Sequence, residues 1–246
     1  MLSGDIQNNK LRILGKLTAS LIHEIRNPLS AIKLNLDLIK MEENLSADVL
    51  ESVEDSLSAT DRIEYMVDSL LSFARVVTHG RENISLNKIT LNAADLLAVK
   101  ASKYGVQIKH ELDENLIHVY ADENKLLQVI LNLVTNAIES CAESKGGKII
   151  IRTSYESDKH GGKINWIVED NGVGISKEDQ NRIFEDFYTS KENGTGLGLS
   201  VCKMLINEQH AEIDFESRLG VGTKFKITFS VNRMRKLYET ENSGNR

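Results

Sequence analysis

The chain of 246 residues lacks the features of several common protein classes. Its net charge is −6, so it lacks the excess of lysine and arginine that a general nucleic-acid-binding protein requires. No apolar run approaches the roughly 20 residues of a membrane-spanning helix. The N-terminal residues also lack the layout of a signal peptide. We therefore expect a cytoplasmic globular segment that contacts neither nucleic acid nor membrane.

The chain has only two cysteines, and neither has a partner nearby in the sequence. Cys141 and Cys202 each lie inside an apolar helical pattern. We interpret both as reduced, buried thiols rather than as a disulfide or a metal site.

Glycine and proline are scarce in the first part of the chain. Residues 5–79 contain one glycine and the only proline, whereas the remainder mixes glycine-rich turns with short strands and helices. This change in composition predicts a domain boundary near residues 78–83.

The first part is predicted to form two helices, at about residues 5–41 and 47–78, with Ser46 as the N-cap of the second. A narrow apolar seam follows the first helix: Leu14, Leu17, Leu21, Ile25, Pro28, Ile32, Leu36 and Ile39. An antiparallel hairpin of this kind buries little apolar surface alone. The second helix carries a similar apolar pattern, namely Leu50, Val53, Leu57, Thr60, Val67, Leu71 and Ala74. Two hairpins that form a dimeric four-helix bundle would bury both seams.

Pro28 raises a question, because proline inside a helix costs roughly 3 kcal/mol and disturbs the carbonyl one turn earlier. That carbonyl belongs to Glu24, next to His23, and His23 and Asn27 share the face opposite the seam. Imidazole is a nucleophile at neutral pH, and a neighbouring carboxylate can accept its proton. The face is therefore either reactive or an ordinary solvated helix surface.

The second part contains a helix over residues 121–140 whose polar face carries Asn132 and Asn136, with Glu139 near them. Asparagine is a mediocre helix former, so a solvated role alone explains the pair poorly. Amide oxygens stacked in this way could coordinate Mg2+ and contact phosphates.

Two glycine motifs follow. In "EDNGVGI", Asp170 ends an apolar strand and can accept from an exocyclic amine, and Gly172 and Gly174 allow close backbone approach. An ordinary β-turn would explain the same residues without any role in binding. In "NGTGLGLS", Gly194, Gly196 and Gly198 lead into a helix, which is a typical anion site. The second motif matches neither the dinucleotide fingerprint nor a Walker loop.

Taken in order, these motifs resemble those of bacterial sensor histidine kinases. "HEIRNPL" resembles the H-box, "NLVTNA" the N-box, "EDNGVGI" and "GTGLGLS" the two glycine boxes, and "RIFEDFYTSK" the F-box. The resemblance implies a dimerisation and phosphotransfer domain over residues 1–80. An ATP-binding domain over 84–232 would follow, then a tail over 233–246. The implied fold is an all-α hairpin in a dimeric four-helix bundle, followed by an α/β two-layer sandwich shared with Hsp90, gyrase B and MutL.

The resemblance also implies a role for each site residue. His23 would accept the γ-phosphoryl group of ATP, Glu24 would be the base, and Asn27 would position water for phosphatase activity. Asn132 and Asn136 would hold Mg2+ and phosphates, and Asp170 would bond the adenine amino group. The implied ATP-binding residues are Asn132, Asn136, Asp170, Gly172, Gly174, Lys191, Gly194, Thr195, Gly196, Leu197, Gly198 and Thr223. Phe184 and Phe187 would pack between the phosphate loop and the core.

The implied reaction is autophosphorylation of His23, followed by transfer to an aspartate of a response-regulator receiver domain. The chain would be a homodimer and could be the cytosolic part of a longer, membrane-anchored sensor. Whether phosphorylation occurs within or between subunits stays open. Two alternatives also stay open, namely a conformational ATPase and a dimeric scaffold or phosphatase that binds ATP as an allosteric ligand.

Overall fold

The computed structural model describes residues 25, 27–42, 45–74, 80–142, 146–157, 159, 161–191 and 196–243. These residues divide into two compact units, the first dominated by residues before 78 and the second by residues after it. Among the described residues, none of the helices combines the length and the apolar content that a membrane span needs.

The described part of the first unit contains two helices, α1 (27–40) and α2 (Ala47–Ala74). Ser46 accepts a hydrogen bond from the Val49 amide at 3.4 Å, as expected of the predicted N-cap. Lys40 of α1 forms a salt bridge with Glu54 of α2 at 2.8 Å. The predicted helix ends before residue 25 and after residue 74 lie outside the described residues.

Few of the apolar side chains that the structure describes in the first unit are buried. Leu29 and Val53 are buried. In contrast, Ile25, Ile32 and Ile39 of the predicted seam are 41–48% exposed. One hairpin has too little surface to cover this seam, so these apolar side chains face outward in the single chain.

The described residues of the second unit form seven strands. They are β1 (Glu82–Ile84), β2 (Gln107–Glu111), β3 (Val119–Ala121), β4 (Lys148–Glu156), β5 (Lys163–Asp170), β6 (Glu212–Arg218) and β7 (Gly222–Ser230). Five of them form a mixed sheet in the order β2-β4-β5-β7-β6, in which only the β2–β4 pair is parallel. β1 and β3 form a separate antiparallel pair.

Three helices supply the other side of the core: α3 (Leu86–Lys103), α4 (Glu123–Ser140) and α5 (Gly198–Glu208). Asp122 caps α4 by accepting from the Lys125 amide at 3.2 Å. The fully buried Trp166 of β5 donates its indole N–H to Thr90 of α3 at 2.9 Å, which satisfies its one polar group. This sheet covered by helices confirms the predicted two-layer α/β sandwich.

The residues predicted as a C-terminal tail include a further helix, α6 (Val231–Ser243). Its Met234 side chain is buried, and the Tyr238 ring lies edge-on to Tyr120 of β3 at 5.2 Å. The apolar spacing of these two residues, four apart, is what allows α6 to pack against the second unit.

Both cysteines are unpaired and buried, as predicted. Burial raises the pKa of the Cys141 thiol, and it raises the pKa of Cys202 to about 12. Both groups are therefore protonated, unreactive thiols at neutral pH.

Candidate functional site

The carboxylate of Asp170 lies at the centre of the candidate site. Asp170 ends β5, is 8% exposed and pairs with Thr223 of β7 in the sheet register. Its Oδ1 accepts from Ser140 Oγ at 2.9 Å, from the Gly172 amide at 2.9 Å and from the Thr223 amide at 3.3 Å. These three donors come from α4, the turn after β5 and β7, so the packing of the domain fixes the carboxylate's orientation.

The glycines around Asp170 allow three backbone segments to meet. A Cβ on Gly172 would lie 2.5 Å from the Ser140 carbonyl oxygen. Gly174 has a φ of +69°, and a Cβ there would lie 2.1 Å from the Arg218 carbonyl oxygen. No other residue type fits either position without displacing backbone. The "DNG" turn is therefore packed against neighbouring backbone and forms a wall of the site, in addition to reversing the chain.

Thr223 is joined to this wall through its hydroxyl. Thr223 Oγ1 lies 2.9 Å from Ser217 Oγ on β6, and Ser217 Oγ also accepts from the Ile175 amide at 2.8 Å. Sequence reasoning missed both Ser140 and Ser217. Ser140 lies four residues after Asn136, one helical turn along the same face of α4, and that spacing was a usable signal. Ser217 meets Thr223 only through strand register, which has no local signal.

The two asparagines lie on α4, both half-buried. The Cys202 thiol of α5 donates to the Val129 carbonyl of α4 at 3.9 Å, and the nearby Asn132 partly offsets the effect of burial on the pKa of that thiol. The face of α4 thus runs from α5 at Asn132, past Asn136, to Asp170 at Ser140. At 1.5 Å per residue this distance is about 12 Å, comparable with the length of a nucleotide.

Glu139 is held by a cation rather than presented as a metal ligand. Its carboxylate lies 2.7 Å from the Lys100 ammonium group of α3, and both side chains are about one-third exposed. Among the described residues, no group of three or more His, Cys, Asp or Glu side chains could hold a metal ion. The side chains of Asn132 and Asn136 carry amide oxygens, which are of the donor type that Mg2+ takes.

The second glycine motif leads into α5. Gly196 has a φ of +69°, and a Cβ there would lie 2.3 Å from the Phe187 carbonyl carbon. Gly198 is the first residue of α5, and a Cβ there would meet no atom within 4 Å. Leu197 is buried, accepts from the Val201 amide at 3.0 Å and provides no side-chain cap. The first amides of α5 thus suit an anion.

The remaining predicted residues lie outside the described residues or outside the second unit. His23, Glu24, Gly194 and Thr195 lie outside the described residues. Asn27 is exposed on α1. Lys191 is exposed and does not belong to the second compact unit.

The two phenylalanines of the F-box differ. The Phe184 ring lies edge-on to Phe215 of β6 at 5.8 Å, which agrees with its predicted packing role. Phe187 is 71% exposed and has a φ of 65°, so its predicted packing role is wrong. In this turn the Phe187 side chain points outward, and the Phe187 backbone contacts Gly196.

Two family models match the chain. The His Kinase A (phospho-acceptor) domain matches residues 13–78, and the histidine kinase-, DNA gyrase B- and HSP90-like ATPase matches residues 121–233. Together they account for more than half of the chain, in the order expected from the motifs.

Known proteins agree with these matches. Sporulation kinase A of Bacillus subtilis (strain 168) is 36% identical over 225 residues, which cover 91% of this chain and 36% of that protein. Full-length ShkA in complex with AMPPNP has a TM-score of 0.64 and 25% identity, covering 87% of this chain and 45% of that one. Histidine kinase ThkA in complex with response regulator protein TrrA has a TM-score of 0.60 and 28% identity, and the match covers 92% of this chain and 64% of that one.

The chain spans about a third to a half of the curated relatives it matches. The matched part holds both the phospho-acceptor and the ATPase-like domains, and the geometry around Asp170, α4 and α5 lies in the second of these. This chain therefore belongs to the two-component sensor histidine kinases and contains their catalytic core.

Proposed function

We propose that the chain transfers the γ-phosphoryl group of ATP to His23 and then to an aspartate of a response-regulator receiver domain. The observation that carries this proposal is the polar face of α4, which contacts the Asp170 carboxylate at Ser140 and lies beside Cys202 of α5 at Asn132, one turn after the first residue of that helix. Such a face suits a ligand with a base at one end and phosphates at the other.

ATP would bind with its adenine beside Asp170 and Thr223. The carboxylate would accept from the adenine amino group, and the three donors on Oδ1 keep it oriented for that contact. The phosphates would lie at the first amides of α5, where the helix dipole favours negative charge.

Mg2+ would be held by the amide oxygens of Asn132 and Asn136, and Lys191 is proposed as a further contact for the terminal phosphate. The ion would neutralise charge that develops on the phosphates during transfer. The chain's own contribution is positioning, because the packing of α4, β5 and β7 holds the groups around Asp170 in a fixed orientation.

In the proposed transfer, an imidazole nitrogen of His23 attacks the γ-phosphorus of ATP. A nitrogen–phosphorus bond forms, the bond from the γ-phosphorus to the bridging oxygen breaks, and ADP leaves. Glu24 accepts the imidazole proton. Phosphohistidine then passes its phosphoryl group to the receiver aspartate and returns to free His23.

We also propose that the chain acts as a homodimer through the first unit. The apolar side chains of Ile25, Ile32 and Ile39 are 41–48% exposed in the single chain, and a second hairpin would cover them. The match of residues 13–78 to a phospho-acceptor domain and the ThkA–TrrA complex support a dimer and a response-regulator partner.

Phosphatase activity toward the regulator is a second candidate function. Asn27 is exposed four residues after His23, so its amide is accessible to a docked partner. The salt bridge of Glu139 with Lys100 weighs against the conformational ATPase alternative, because a carboxylate paired in this way is a poor base for activating water.

The test is incubation with γ-labelled ATP and Mg2+. We expect label on the wild type that survives alkali and is lost in acid, and no label on His23→Gln. The matched control is His118→Gln, which changes an exposed histidine of the second unit and should be labelled normally. Labelling of His23→Gln, or no label on a wild type that binds ATP, would refute the autokinase proposal.

A further inference from the structure

We propose that Tyr188 is a positioning residue that holds the glycine turn before α5 in place for the phosphates of the nucleotide. It acts through Asp179, which lies in the short 3-10 turn Asp179–Asn181. This inference rests on the proposed function, because it assumes that nucleotide phosphates bind at α5.

The first step is the anchoring of Tyr188. Its hydroxyl donates to Asp179 Oδ1, while Ser176 Oγ donates to Asp179 Oδ2 at 2.8 Å. The Arg182 guanidinium lies 4.2 Å from the centre of the tyrosine ring, a cation–π contact. The hydrogen bond from Tyr188 lowers the pKa of Asp179 and raises that of Tyr188. Tyr188 is thus fixed at both its hydroxyl and its ring.

The second step is the contact between Tyr188 and the glycine turn. Gly196 approaches the Phe187–Tyr188 peptide so closely that a Cβ on Gly196 would lie 2.6 Å from the Tyr188 backbone nitrogen. Both Phe187 and Gly196 have positive φ, at 65° and 69°. Because these backbones are in contact, a displacement of Tyr188 displaces Gly196, which lies two residues before the start of α5.

The third step connects the same turn to the adenine end of the site. Gln180 donates through Nε2 to the Ile175 carbonyl at 3.0 Å and to the Ser217 carbonyl at 3.1 Å. Ser217 in turn lies 2.9 Å from the Thr223 hydroxyl. Residues 175–188, which we term the bracket, therefore connect the adenine end of the site to the start of α5.

Different contacts hold the bracket at the adenine end and at Gly196. Gln180 bonds the Ile175 and Ser217 carbonyls at the adenine end, whereas the Tyr188 hydroxyl bonds Asp179 within the bracket and the Tyr188 backbone contacts Gly196. Removal of the Tyr188 hydroxyl should therefore disturb the phosphate end alone. A general loss of structure would disturb both ends.

The experiment measures binding of ADP with Mg2+, and of adenosine, to the full chain by calorimetry. Tyr188→Phe should weaken ADP binding about three- to tenfold, less than the loss of a direct hydrogen bond to a charged group, because the hydroxyl acts on the phosphates only through the position of Gly196. Adenosine has no phosphates, so its affinity should stay within twofold of the wild-type value.

The matched control is Tyr155→Phe. The Tyr155 hydroxyl also makes one hydrogen bond, to the Gly161 carbonyl at 3.1 Å, but in the hairpin between β4 and β5. This variant should leave the affinities for both ligands unchanged. Melting temperatures of all three proteins would show whether each variant is folded at the temperature of the titration.

Three results would overturn the inference. Unchanged ADP affinity in Tyr188→Phe would show that the hydroxyl does not position the turn. Equal loss of ADP and adenosine binding would show a general structural role. A wild type that binds neither ligand would overturn the proposed nucleotide site itself, and the positioning role with it.

Discussion

Replacement of Asp170 by asparagine separates the structural role of this residue from its proposed role in recognising adenine. The asparagine side chain would keep an oxygen that can accept from Ser140, Gly172 and Thr223, so the three hydrogen bonds seen on Oδ1 can persist. The other carboxylate oxygen becomes an amino group. An adenine amino group at that side would then face a second donor in place of a charged acceptor.

The expected loss follows from the bond that is removed. A hydrogen bond to a charged group contributes about 1.5–3 kcal/mol, so Asp170→Asn should weaken ADP binding by roughly 10- to 150-fold. Guanine presents a carbonyl where adenine presents its amino group, and an asparagine amide can donate to it. The ratio of ADP to GDP affinity should therefore fall in the variant.

Calorimetric titration with ADP and GDP, together with urea denaturation, measures both effects. Asp170→Ala is the comparison, because it leaves the buried amides of Gly172 and Thr223 without this acceptor and should cost about 1–3 kcal/mol for each in the free energy of unfolding. An Asp170→Asn variant that binds ADP within twofold of the wild type would refute the proposed adenine contact.

Three further predictions concern packing, pH and assembly. Gly174→Ala places a Cβ 2.1 Å from the Arg218 carbonyl oxygen at a φ of +69°, so we expect the free energy of unfolding to fall by more than the roughly 1–2 kcal/mol of left-handed backbone alone, measured by urea denaturation. The Lys109 and Arg152 hydrogen bonds lower the pKa of Glu111 from 4.5 to about 2, so its stabilisation is present above pH 4.5 and is lost as the pH falls toward 2. The stability difference between wild type and Glu111→Gln should therefore shrink over that interval, and a constant difference in urea melts at pH 7 and pH 3 would contradict this. Ile32→Glu should leave the monomer folded, since Ile32 is 48% exposed, but should shift the chain from dimer to monomer in light scattering.

The candidate site could be predicted from sequence wherever its geometry is local. Asn132 and Asn136 share a face because they lie four residues apart on one helix, and the glycines after Asp170 signal a tight turn by composition. Both features required no knowledge of the rest of the fold. The sandwich itself followed from the family resemblance rather than from periodicity.

The parts that could not be predicted depend on contacts between distant segments. Ser217 reaches Thr223 through the register of β6 and β7, and Lys100 reaches Glu139 by the packing of α3 on α4. The family resemblance implied a packing role for Phe187, but the left-handed backbone of its turn directs it outward. Such outcomes depend on tertiary structure, which overrides the preference of a single side chain.

The position of Asp170 within the sheet also bears on how a nucleotide would leave. Asp170 is the last residue of β5 and pairs with Thr223 of β7. Each of these strands has hydrogen-bonded neighbouring strands on both sides. Amides in such strands exchange with solvent only through the largest openings of a domain, whereas helix ends open by local fluctuations. We therefore expect slow hydrogen exchange beside the base and faster exchange at the first turn of α5. Nucleotide turnover would then proceed by local opening at the phosphate end, while the central strands stay formed.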